Sequence, residues 1–152
     1  MALFRKVGDR WGRGTELTGQ AFAALHEGDY EAAKALLDQR LGLWREIGNQ
    51  TGMLLSLIGF AALALAQGRP KSSQAQDGAG VQRARRGTML LAAADALAKA
   101  RGFRLFPWDQ TEFDHWLASA HAQLDEATFA AAWGEGQAMT LEQGIALAGD
   151  LN

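Results

Sequence analysis

The sequence predicts an all-α architecture built from antiparallel helix pairs. Three observations predict it. The chain repeats itself at an offset of 40 residues. A glycine followed by Asp or Asn recurs at Gly8-Asp9, Gly28-Asp29 and Gly48-Asn49. No segment alternates apolar and polar residues with a period of two, so no sheet is expected.

The repeat is seen in Leu3-Phe4-Arg5-Lys6-Val7-Gly8 against Leu43-Trp44-Arg45-Glu46-Ile47-Gly48. It continues through Gly12 and Gly52, Leu17 and Leu57, Ala21 and Ala61, Leu25 and Leu65, and Gly28 and Gly68. The aligned glycines set it apart from chance matches in an alanine-rich chain. A sustained period of this size indicates stacked supersecondary units that cannot bury their apolar faces alone.

Glycine enters the left-handed helix cap without steric cost, so Gly8, Gly28 and Gly48 are read as helix ends. Asp9, Asp29 and Asn49 then cap the helices that follow. Helices are expected at about 10–27, 30–47 and 50–67, joined by turns short enough to make neighbours antiparallel. Leu17, Ala21, Ala24 and Leu25 form the apolar stripe of the first. Tyr30, Ala33, Leu37, Leu41 and Trp44 form that of the second.

Residues 69–83 are small, polar and unpatterned, and are read as a flexible linker. Helix resumes near Gln82 and ends at Gly102. An aromatic connector, Phe103-Arg104-Leu105-Phe106-Pro107-Trp108, precedes a helix whose start resembles a capping box of Asp109 and Glu112. Phe113, Trp116, Leu117, Ala120 and Leu124 share one face of that helix. A further helix follows Asp125, and Thr140 with Gln143 boxes the start of the last. The chain thus reads as one helical-repeat domain over 1–152: repeat helices in 1–68, the linker, and C-terminal helices in 84–152.

Composition narrows the function. The chain of 152 residues is 48% hydrophobic, with 21% charged residues and a net charge of −2. That suits one ordinary domain and argues against strong non-specific nucleic-acid binding. Absence of cysteine excludes disulfide staples, thiolate metal sites and a cysteine nucleophile. The uninterrupted apolar run at Ala61–Ala66 is too short for a membrane span. With no signal-peptide core at Met1–Lys6, a cytoplasmic location is expected.

No catalytic constellation emerges, and no cofactor is expected. Gly78-Ala79-Gly80 lacks the third glycine and the preceding strand of a dinucleotide loop. Glu112 and His115 share a helical face but lack the second copy that a carboxylate-bridged metal site requires, and they are read as surface polar residues. His121 with Asp125 offers too few ligands, and Asp125 is read as a helix cap. Arg83, Arg85 and Arg86, with Arg69 and Lys71, form the densest basic cluster, read as a solvated linker edge. The aromatics Phe103, Phe106, Trp108, Phe113, Trp116, Phe129 and Trp133 are read first as core and alternatively as the lining of a ligand pocket.

Leu17, Ala21, Ala24, Gly28-Asp29-Tyr30, Ala33 and Leu37 resemble the tetratricopeptide pattern, with a repeat of 40 in place of the usual 34. The longer repeat resembles the MalT-like regions of LuxR-type transcriptional regulators and multidomain signalling ATPases. Residues 90–97, Phe113-Asp114, 129–136 and 139–148 resemble the C-terminal end of such arrays. Arg40 departs from the motif, which wants a small residue there.

The resemblance implies a non-enzymatic helical solenoid, with C-terminal capping helices, that contacts a protein or peptide in a regulatory or signalling role. In the family, DNA binding and nucleotide hydrolysis reside in other domains. The motif register implies an inner groove made by Thr15, Thr18, Phe22 and His26 of one helix and Leu55 and Ile58 of the next. The alternative is a small-ligand sensor using the C-terminal aromatics; a minimal metal enzyme is a distant third. Because the sequence starts partway through a repeat, Trp11 and nearby apolar residues are expected to be partly uncovered, so a homodimer is expected.

Overall fold

The computed structural model describes residues 2–69 and 78–150, without side-chain detail at 2–8, 10 and 11. Among these residues there are seven helices and no strand. They are α1 (Ala2–Glu27), α2 (Tyr30–Ile47), α3 (Gln50–Gly68), α4 (Gly78–Ala100), α5 (Pro107–Gln123), α6 (Glu126–Gln137) and α7 (Leu141–Gly149). The expectations about Trp11 and about residues 70–77 lie outside the described positions.

Local chemistry sets the first two turns. Gly28 and Gly48 hold φ of 81° and 77°, the left-handed region that glycine enters freely. Asp29 accepts a hydrogen bond from the Ala32 amide, and Asn49 accepts one from Gly52. These caps satisfy amide groups that a helix start otherwise leaves open.

Gly8 behaves differently. It lies inside α1, which runs unbroken from Ala2, eight residues before the expected start. Glycine permits a left-handed cap without imposing it, and the reversals at 28 and 48 are driven by packing of the flanking stripes.

Two further boundaries are corrected. α4 begins at Gly78, so residues 78–83 are helix and not linker. α5 begins at Pro107, and its N-cap is Phe106, which makes no side-chain cap bond. Proline suits the first helical position because its missing N–H would have no partner there. Asp109 and Glu112 therefore lie inside the helix and form no capping box.

Asp125 caps α6 through the Thr128 amide, which holds its carboxyl below the usual range. Thr140 and Gln143 form the reciprocal box of α7, with bonds of 3.1 and 2.9 Å. Thr140→Ala is expected to cost about 1 kcal/mol. Thermal unfolding should show it as a Tm drop of roughly 2–4 °C; an unchanged Tm would mean that α7 is not held by its cap.

α3 is the centre of the molecule. It touches α1, α2, α4, α5 and α7. Leu54, Leu57, Ile58, Phe60, Leu63 and Leu65 are all buried on it, and they point around its whole circumference. A helix apolar on every side must be enclosed. By length and a mean hydropathy of 1.6, α3 does reach the dimensions of a membrane span, which the short run Ala61–Ala66 did not suggest. Interspersed polar and glycine residues hid its length. With 89% of that stretch buried, packing against neighbouring helices accounts for its apolarity.

Small residues set the helix spacings. A Cβ on Gly87 of α4 would stand 3.0 Å from the Ala61 carbonyl of α3. One on Gly136 of α6 would collide with the Met89 carbonyl of α4 and lie 2.7 Å from the Ala92 Cβ. Real side chains essentially never approach so closely, so these helices touch nearly backbone to backbone.

Candidate functional site

The apolar stripe of α2 carries an unexpected member. Leu37, Leu41 and Trp44 are buried as their spacing predicts, and so is Arg40, at 3% exposure. Residues 37, 40, 41 and 44 follow the i, i+3, i+4, i+7 rule of one helical face. The guanidinium is therefore carried inward by the same geometry that buries the leucines.

Burial lowers the Arg40 pKa to about 10, with the Asp109 carboxyl acting in the opposite direction. It remains charged at neutral pH. A shift of this size corresponds to about 3 kcal/mol of penalty on the charged form. Among the described residues Nε and Nη1 have no hydrogen-bond partner, and no ion pair joins Arg40 to Asp109.

Arg40 borders a half-open cavity of about 440 Å³. α1 supplies Thr15, Thr18 and Gly19; α2 supplies Arg40 and Trp44. α3 supplies Thr51, Gly52 and Leu55. The connector and the start of α5 supply Phe106, Trp108 and Asp109. The Trp44 ring is seated between Gly14 of α1 and Gly52 of α3, where a Cβ at either position would overlap it. Phe106 and Trp108 form the lip and, among the described residues, are the large apolar side chains left most open, at 53% and 55% exposure. Trp108 meets Phe22 edge-on at 6.4 Å between ring centres.

A polar tier continues from the cavity along α5. Asp109 is buried, and desolvation raises its pKa above the usual value. Arg40 lowers it and the Glu112 carboxylate raises it further. Glu112 is buried too, not a surface residue as its spacing with His115 suggested. It accepts from Trp116 Nε1 at 3.0 Å and lies 3.3 Å from His26 Nε2. His26 stacks on Trp116, with His115 edge-on to both rings. Arg69 stands 4.8 Å over the Trp116 ring. Among the described residues no three His, Asp or Glu side chains converge to hold a metal.

The raised Asp109 pKa has a sign that can be checked. A carboxyl that binds its proton more tightly when folded contributes stability below its unfolded pKa, and that stability is lost as pH rises through its folded pKa. Asp109→Asn keeps the neutral form at every pH. Its stability relative to the parent should therefore climb between pH 4 and pH 7 in urea titrations. A flat difference would show that Asp109 is not desolvated.

The six expected groove residues divide. Thr15, Thr18 and Leu55 line the cavity. Phe22 supports its lip, and His26 belongs to the Glu112 tier. Ile58 is enclosed in the core at 1% exposure. The C-terminal aromatics divide as well: Phe113 and Trp116 are core, whereas Phe106 and Trp108 line the cavity. The basic cluster disperses, with Arg69 on Trp116 and Arg85 3.9 Å from Glu135. Arg40, Trp44 and Asp109 were missed as site residues. The available signal was a cation on an otherwise apolar stripe.

The chain matches no family model, no curated protein and no solved structure.

Proposed function

We propose that this chain is a non-catalytic binding domain and that its ligand is a small, largely apolar molecule held in the cavity between α1, α2, α3 and the start of α5. One observation carries this: a cavity of about 440 Å³ walled by Trp44, Leu55, Phe106 and Trp108, with few polar groups. Small-molecule sites have this size and this mixture of apolar wall and sparse polar anchors. The open aromatic lip offers rigid surfaces that lose little entropy on binding.

Gly19 supports a clean test, because a Cβ there meets nothing within 4 Å and the residue borders the cavity. Gly19→Phe places a ring in that space. Titration calorimetry with 1-naphthylacetate and 1-naphthylacetamide should show one-to-one binding of at least one to the parent chain. Gly19→Phe should abolish it without loss of helicity. Binding of neither probe, or equal binding to the filled variant, would overturn the proposal.

A second reading is a tetratricopeptide-like stack whose concave face takes a peptide. It is favoured by Thr15, Thr18 and Leu55, which the repeat register selects and which all border the cavity. An extended peptide would fill such a groove with side chains in successive pockets. A peptide should then compete with the naphthyl probe and also protect α1 and α3 amides beyond the cavity from exchange. Protection confined to the cavity would exclude it.

A further inference from the structure

Resting on the small-ligand proposal, we infer that the ligand is an acid: an apolar, ring-containing body bearing a carboxylate that is met by Arg40 where it borders the cavity. Arg40 is nearly fully buried, yet it borders the cavity and leaves two nitrogens, Nε and Nη1, without hydrogen-bond partners. Buried cations are ordinarily paired, and an unpaired one is costly to keep. In this fold a leucine or methionine would suit the stripe of Leu37, Leu41 and Trp44 better. Nε and Nη1 are themselves closed to solvent, so the charge is met where Arg40 borders the cavity, and the missing partner is an anion bound there.

Asp109 does not fill that role. No ion pair links it to Arg40 among the described residues. Its own burial disfavours the charged carboxylate, although Arg40 opposes that shift. Among the described residues the Arg40 guanidinium is therefore left without a directly bonded counter-ion. A guanidinium suits a carboxylate, which accepts several hydrogen bonds at once. Trp44, Phe106 and Trp108 supply the flat apolar walls for the ring.

The matched pair 1-naphthylacetate and 1-naphthylacetamide differ only in the charged group. In titration calorimetry the acid should bind the parent chain at least about tenfold more tightly than the amide, since a charge-assisted bond outweighs a neutral one. Arg40→Met should abolish that preference while retaining binding of the amide. This variant is expected to fold, because an apolar side chain replaces a buried charge. Arg40→Lys keeps the cation and should keep a preference for the acid, which guards against misfolding of the methionine variant.

The outcomes separate the two proposals. Equal binding of acid and amide to the parent overturns the acid inference and leaves the cavity proposal standing. An acid preference that survives Arg40→Met also overturns the inference. Binding of neither probe overturns both.

Discussion

Phe60→Ala is expected to lower the free energy of unfolding by about 3–5 kcal/mol, the range for large aromatic deletions in a closed core. Phe60 is fully enclosed at 0% exposure, on a helix that contacts five others. α4 already meets α3 near backbone contact at Gly87, which limits how far these two helices can close on a void. The lost dispersion contacts are therefore not recovered. Urea unfolding followed by circular dichroism should show the midpoint falling with little change in slope. A loss below about 1 kcal/mol would mean that α3 is not the centre of the fold.

Gly136→Ala and Gly134→Ala are expected to act in opposite directions, although both exchange glycine for alanine in α6. Alanine is the better helix former by about 1 kcal/mol. At Gly134 an added methyl meets nothing within 4 Å, so that gain should appear as higher stability. At Gly136 it collides with the Met89 carbonyl, which belongs to a helix backbone and cannot rotate away. Overpacking of this kind typically costs about 1–3 kcal/mol. Gly136→Ala should lower Tm while Gly134→Ala raises it. The same sign for both would contradict the close approach of α6 to α4.

What was legible in the sequence was local. Gly28-Asp29, Gly48-Asn49, Asp125 and the pair Thr140 and Gln143 mark helix ends through bonds that span three or four residues, and each is found as read. The apolar stripes of α1 and α2 were equally plain, because burial repeats with the helical period. Gly8 and the pair Asp109 and Glu112 carried similar local signs, but there packing and Pro107 set the outcome.

The site was less legible because it is assembled from distant parts of the chain. Thr15, Arg40, Leu55 and Trp108 meet only when α5 returns to the α1–α3 layer. No periodicity in one segment reports that return. The repeat register found Thr15, Thr18 and Leu55, yet it also named Ile58, which faces into the core. Arg40 was visible as a departure from a motif, and its place on the buried stripe was readable by spacing alone. What spacing could not supply was the neighbourhood that makes it costly: Asp109 arrives from 69 positions further along the chain.

The binding site is tested most directly by following the tryptophan indole N–H signals in a nitrogen–proton correlation spectrum during titration with 1-naphthylacetate. Trp44 and Trp108 border the cavity, whereas Trp133 stacks on Phe129 of α6, away from it. The signals of Trp44 and Trp108 should move together and saturate, with Trp133 unmoved and all shifts lost in Gly19→Phe. Unmoved Trp44 and Trp108 signals at saturating probe, or a response centred on Trp133, would contradict a ligand site at this junction.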